Sequence, residues 1–322
     1  MKGVPEDVHS LLGKISVGRG IREPVHSSDV TTEHLEKFAE VLRKITNGTK
    51  QNIVALIGTL RAADYAIAAS RAVSSESLQI ESSCSGRTAK SLILACAAKA
   101  PHEDASDARD TVYNAMRLSQ VPEMQGRAGI LYKDTLWALP GLSRSGEPTS
   151  FDSRYGPIAR FKRGAWGFNE AKEAHIPVGD ANKEHEYRLD TGVQAFDIGG
   201  EVGPVVASVQ GAKQQGLSGM ILRTSRSTNG ELFSSHSEML DALNAEEIPG
   251  IVVSNSLCQH GAQCDSDEEC PYDFISHGGG LTETEARLLM AEWLADATNL
   301  ELEPQEKAAY VKQMLSVYPF RN

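Results

Sequence analysis

The chain has 322 residues, enough for two domains and a sizeable core, and is 40% hydrophobic but only 6% aromatic, which suits an α/β enzyme better than a β-sandwich. Its formal net charge of −11 argues against nucleic acid and anionic membrane as partners. No apolar run approaches the roughly 18 residues of a membrane-spanning helix. Met1 to Gly20 holds no apolar core of signal-peptide length, so a cytoplasmic location is expected unless a targeting segment precedes this numbering.

Asp29-Val30-Thr31-Thr32 leads into an amphipathic helix with apolar positions Leu35, Phe38, Val41, Leu42 and Ile45. Next, the apolar run Ile53-Val54-Ala55-Leu56-Ile57 stops at Gly58-Thr59 and gives way to an alanine-rich, helix-prone stretch from Ala62 to Val73. A short apolar run closed by glycine and opening a helix predicts a buried parallel strand feeding its crossover helix. In open α/β sheets, ligands sit in the crevice outside the carboxyl ends of such strands. Thr59 would stand at that edge with its hydroxyl beside a helix N-terminus that favours anions.

Ser91 to Ala98 predicts a second strand, and Ala108 to Ser119 a helix with Asp107 placed to cap it. Arg127 to Tyr132 and Thr135 to Leu139 read as two short strands or a hairpin. From Arg163 to Thr191 glycine, proline, histidine and charged residues dominate and the periodicity dissolves, as an interdomain linker would. Order returns with a helix from Pro204 to Gln215, a strand at Gly219 to Arg223, a helix at Ser237 to Leu243 and a strand at Gly250 to Ser254. Thr282 with Glu285 three residues later is a capping-box signature opening another helix, and Glu303 to Val317 predicts a terminal helix docked on the small domain or on a neighbour. Strands alternating with helices argue for parallel sheets in both halves. The division expected is a large domain over 1–165, a linker over 166–194 and a small α/β domain over 195–322.

Five cysteines are present and none lies in a C-x-x-C pair. Cys84 and Cys96 fall in or near apolar elements and read as buried thiols. Cys258, Cys264 and Cys270 share one polar loop, with His260 and His277 nearby, but their spacing matches no standard zinc pattern and an acidic surface loop is the favoured reading. Neither a metal nor a cofactor is expected.

Several fragments, in order, resemble the bacterial-type L-asparaginase/glutaminase family. His26-Ser27-Ser28-Asp29 is similar to its substrate-binding S-S-D or S-Q-D turn, and Ile57-Gly58-Thr59-Leu60-Arg61 stands where the family has H-G-T-D-T. Ser106-Asp107-Ala108-Arg109 with Tyr113-Asn114-Ala115 resembles S-x-D-G…L-Y-N-A, and Tyr155-Gly156-Pro157-Ile158 resembles Y-G-P-L. Ile248-Pro249-Gly250-Ile251-Val252-Val253 and Gly280-Leu281-Thr282-Glu283 resemble the small domain's I-P-V-V-V and G-D-L-T-P-E. The resemblance runs from about Val25 to Ala297. It implies a large flavodoxin-like parallel-sheet domain, a smaller C-terminal α/β domain, and tight dimers whose active sites form between subunits.

The family's catalytic set is carried over only in part. Its members use one threonine in T-G-G-T and one in H-G-T-D-T, the second served by the following Asp and by a later Lys. This chain has no T-G-G-T, its Asp position is Leu60, and no lysine lies between Asp134 and Phe161, where Arg144 is the nearest cation. A threonine hydroxyl needs a neighbouring base to attack an amide, and arginine stays protonated and cannot serve. Loss of a general base typically costs about 10² to 10⁴ in rate.

Each site residue carries a structural alternative. Ser27, Ser28 and Asp29 could hold an amino-acid ligand, or Asp29 with Thr31-Thr32 could cap a helix. Thr59 could be nucleophile, ligand contact or N-cap of the Ala62 helix. Arg61 and Arg144 suit a ligand with an extra carboxylate, or salt bridges to Asp64 or Glu147. His102-Glu103-Asp104 is either an acid–base triplet or a solvated loop.

The reading that follows is an asparaginase/glutaminase-like amidohydrolase of altered constellation acting on an Asn- or Gln-like small molecule. Thr59 is its catalytic residue, and Ser27, Ser28, Asp29, Gly58, Arg61 and Arg144 bind substrate. The alternatives are a catalytically inactive homologue that binds an acidic amino acid, and a subunit that pairs with an active partner. A homo-oligomer, dimer or tetramer, or a hetero-oligomer with a homologue is expected.

Overall fold

The computed structural model describes residues 30–48, 51–59, 61–73, 75–78, 89–99, 103–139, 141–144, 151–153, 156–169, 187–224, 236–254, 271–278 and 281–318. Its longer helices are α1 (Thr32–Gly48), α2 (Ala62–Ala72), α3 (Ala108–Leu118), α4 (Val202–Lys213), α5 (Ser237–Asn244), α6 (Glu283–Asn299) and α7 (Pro304–Val317), with a single helical turn at Ser75–Leu78. The strands β1 (Ile53–Gly58), β2 (Leu92–Ala97), β3 (Ala128–Tyr132), β4 (Thr135–Trp137), β7 (Pro157–Lys162) and β8 (Ala165–Phe168) form one sheet in that order. Strands β9 (Val193–Asp197), β10 (Gly219–Thr224), β11 (Gly250–Ser254) and β12 (Ile275–His277) form a second sheet, ordered β12-β11-β10-β9 and parallel throughout. A separate antiparallel hairpin joins β5 (Leu142–Arg144) to β6 (Phe151–Ser153). This is a two-domain α/β fold.

The larger sheet is parallel only across β1, β2 and β3. Beyond β3 it turns antiparallel through β4, β7 and β8, and β3–β4 is the hairpin alternative of the sequence reading. Strand β2, Leu-Ile-Leu-Ala-Cys-Ala, is buried at every position, as a central strand covered on both faces must be. Leu92, Leu94 and Cys96 face the α1–α2 side, while Ile93 and Ala95 join Ala115 and Leu118 of α3 on the other. Helix α2 buries six alanines, Ala62, Ala63, Ala66, Ala68, Ala69 and Ala72. Small side chains let it lie close to its neighbours, and Phe38 of α1 meets Tyr65 of α2 edge-to-face at 4.7 Å.

The sequence reading is corrected in several places. Ala165–Phe168, inside the stretch expected to lack structure, is β8, and Phe161 and Trp166 pair across the β7–β8 turn at 5.3 Å. Asp107 stands at the N-cap of α3 without a side-chain cap bond. Its two carboxylate oxygens instead accept the N–H groups of Ala98 and Lys99, each at 3.0 Å, and so pin the end of β2. The predicted capping box at Thr282 and Glu285 forms as expected. The terminal helix α7 packs on α6.

Helix α6 is buried nearly all round, from Ala286 to Ala297, and so behaves as a central element rather than a surface amphipath. It packs against β9, β10 and β11 of the smaller sheet and against α2 of the larger domain. Two ion pairs cross the α2–α6 contact. Arg71 grips Glu292 through Nε at 2.8 Å and Nη2 at 2.7 Å, with Glu292 only 3% exposed. About two turns earlier on α2, Asp64 accepts from Arg287 at 2.5 Å.

A buried pair broken by removing one partner typically loses about 3 to 5 kcal/mol. Arg71→Met and Glu292→Leu should each therefore lower the urea midpoint strongly, while the double variant should recover much of the loss. Burial, with Glu292 as the second cause, pushes the Tyr187 phenol well above its usual value. Burial also raises Tyr65 and Tyr310. A folded-state value raised above the unfolded one gives stability that is complete below about pH 10 and is lost as pH climbs through the folded value. Tyr187→Phe should flatten that alkaline loss in denaturant titrations, and an unchanged slope would contradict the assignment.

Candidate functional site

The site is built where the parallel strands end. Gly58 is in register with Ala97, and Ile57, Cys96 and Tyr132 lie side by side across β1, β2 and β3. Thr59 therefore leaves the sheet beside Ala98-Lys99, the segment that Asp107 holds by its backbone. Helix α2 starts immediately, with Arg61 at its N-cap position and no side-chain cap bond. The Thr59 carbonyl, not its hydroxyl, accepts from the Ala62 N–H at 3.3 Å. The N-cap position of α2 is held by Arg61 rather than Thr59, and Thr59 is half-buried at the sheet edge.

Arg61 makes the salt bridge expected from the sequence, with Nη1 3.6 Å from Asp64 Oδ2 and its side chain 38% exposed. At that length and exposure the pair adds little stability and leaves the guanidinium open to other anions. Gly58 and Arg61 flank Thr59 on the same turn. Arg144 closes β5, which packs against α2. Ser27, Ser28 and Asp29 lie outside the described residues, as do Leu60, His102 and Glu147. Thr31, just before α1, does take a capping role: its N–H donates to His34 Nδ1 at 3.1 Å, and its hydroxyl lies 2.8 Å from the same atom. Glu103 and Asp104 are exposed.

Two groups at this edge were not singled out by the sequence reading. Lys99, two residues beyond the register partner of Gly58, donates from Nζ to the Asp104 carbonyl at 3.2 Å. Tyr132 ends β3, is 6% exposed, and stacks edge-to-face on Phe151 at 5.1 Å. Its hydroxyl is buried without a hydrogen-bond partner among the described residues. An orphaned buried hydroxyl is costly and calls for an explanation. The signal available in the sequence was position alone: both residues sit at carboxyl ends of strands.

Helix α6 reaches this edge from the other domain. The Glu285 carboxylate, fully buried, accepts the Thr282 N–H at 3.0 Å within its capping box and the Gly141 N–H at 2.6 Å with its other oxygen. Gly141 lies directly before β5, so one carboxylate fixes both the start of α6 and the segment leading to Arg144. Of the cysteines, Cys96 is buried, whereas Cys84, Cys258, Cys264 and Cys270 lie outside the described residues. No group of three or more metal-ligating side chains occurs among the described residues, and no described helix is long and apolar enough to cross a membrane.

No protein-family profile matches the chain, and no curated protein matches it in sequence. Solved structures do. A probable cytoplasmic L-asparaginase from Campylobacter jejuni is 18% identical, with 89% of this chain and 88% of that one superposed at a TM-score of 0.62. L-asparaginase I from Vibrio cholerae is 16% identical, with 90% and 82% covered at a TM-score of 0.63. At such identities the likeness speaks to architecture, and the architecture of this chain is that of the bacterial L-asparaginases.

Proposed function

We propose that the chain is an asparaginase-like amidohydrolase of altered constellation, acting on the side-chain amide of a small Asn- or Gln-like molecule. The observation that carries this reading is the Gly58-Thr59 turn. It presents a hydroxyl at the carboxyl edge of a parallel strand and at the entrance to α2, with the Arg61 guanidinium alongside. An arginine fork recognises a substrate carboxylate, and a threonine hydroxyl can attack an amide carbonyl once a base accepts its proton. Ser27, Ser28 and Asp29 would complete the grip on the amino-acid end, and Arg144 would add a second cation. Lys99, two residues beyond the register partner of Gly58, is the lysine this reading assigns to serve Thr59. No cofactor or metal enters this scheme.

The second reading is a protein that binds an acidic amino acid without hydrolysing it, alone or paired with an active homologue. Leu60 in the position where the resembling family has Asp, and Arg61 where it has Thr, favour this reading because the first removes a carboxylate and the second adds a cation. Under either reading the protein is a homo- or hetero-oligomer that works in the cytoplasm, its large domain reaching through β8 and its small domain beginning with β9, so that the linker expected over 166–194 shortens at both ends.

Ammonia release from L-asparagine, L-glutamine and D-asparagine separates the two. The enzyme reading requires turnover that Thr59→Ala abolishes and that Lys99→Met lowers by about 10² or more. Turnover unaffected by Thr59→Ala would remove the threonine from the mechanism, and none in the parent would leave the binding reading. Tyr132→Phe supplies an independent check on the site. Deleting an unpaired buried hydroxyl should leave stability unchanged or raise it by up to about 1 to 3 kcal/mol. If that phenol meets a ligand at the strand edge, the same variant should bind L-aspartate more weakly by calorimetry.

A further inference from the structure

Asp64 carries one carboxylate and faces two guanidinium groups. Arg287 Nη2, from α6, is 2.5 Å from Oδ1, whereas Arg61 Nη1, at the start of α2, is 3.6 Å from Oδ2. The carboxylate is 7% exposed, Arg287 29% and Arg61 38%. Two cations on one anion leave a surplus of one positive charge. That surplus falls on Arg61, the group that is farther from the carboxylate and nearer to water. Coulomb attraction grows as distance and local dielectric fall, so the closer, drier Arg287 contact dominates the hold on Asp64.

We infer that Arg287 is a positioning residue for ligand recognition: by engaging Asp64 from α6 it keeps the Arg61 guanidinium available to a ligand carboxylate at the Gly58-Thr59 turn. Without Arg287, the buried Asp64 has Arg61 as the nearest described cation, one helical turn away on the same helix, and the two close into an i,i+3 pair. The turn would then present a neutral pair in place of a cation. The docking of α6 on α2, which the Arg71–Glu292 pair also secures, thereby sets the charge of the site in the other domain. This inference rests on the reading of Arg61 as a ligand contact, yet its first readout needs no ligand.

That readout is the rate at which phenylglyoxal modifies Arg61 in the full chain, followed by peptide mass spectrometry. Arg61 should react readily in the parent and in Arg287→Lys, and slow by about fivefold or more, equivalent to roughly 1 kcal/mol, in Arg287→Met. It should return to the parent rate in Asp64→Asn/Arg287→Met, where no carboxylate remains to capture it. The double variant also removes the uncompensated buried charge, so it folds even if the single one is unstable. An unchanged rate in Arg287→Met, or a rate that stays slow in the double variant, would overturn the inference. Calorimetry with L-aspartate as the probe should give affinities in the same order. A parent that binds no L-aspartate while the modification rates follow the expected order would uphold the charge arrangement and remove the ligand reading of the turn.

Discussion

Everything at the candidate site depends on how α6 sits against α2. Helix α6 has no solvent face to speak of. Its apolar residues serve the smaller sheet and α7, and three of its charged residues, Glu285, Arg287 and Glu292, reach the larger domain. Charges buried at such a contact are expensive to leave unpaired, so each must find its partner before the helix can settle. The result is a docking geometry fixed by a few directional contacts rather than by apolar area alone. Arg71–Glu292 and Arg287–Asp64 lie along one line of contact, and Glu285–Gly141 continues it to the segment that opens β5.

That arrangement links sequence-distant pieces of the edge. The turn at Gly58-Thr59 is held through α2, the Gly141–Arg144 segment through Glu285, and the Ala98-Lys99 segment through Asp107. Three carboxylates thus act on the backbone or on arginines near the carboxyl ends of the parallel strands, where Thr59 and Tyr132 also lie. An open α/β sheet supplies a crevice there by topology, but its chemistry comes from the side chains placed there.

Much of the fold was legible in the sequence because its signals are strong and local. The β1 run ending in Gly58, the all-apolar β2, and the capping box at Thr282 each carry a period or a terminus that only one element satisfies. Short edge elements were not legible. Ala165–Phe168 is four residues containing a glycine, with every second residue exposed, and its pairing with β7 is a tertiary fact. Asp107 shows a similar limit: its position at a helix start predicts a cap, but two free N–H groups at the end of β2 compete for the same oxygens and win. At the site, Arg61–Asp64 could be read from spacing of three, whereas Arg287 lies 223 residues away from Asp64 and no local pattern announces it. Tyr132 escaped notice because an unpaired hydroxyl is visible only once its surroundings are.

The central claim is that the carboxyl edge of β1, at Gly58-Thr59 and Arg61, is where this protein meets its ligand. A crystal structure of the full chain grown with L-aspartate tests it most directly. The account predicts the ligand against the Gly58-Thr59 turn, one carboxylate within hydrogen-bond distance of the Arg61 guanidinium and Asp64 still paired with Arg287. L-aspartate bound elsewhere on the molecule, with that turn vacant, would contradict it.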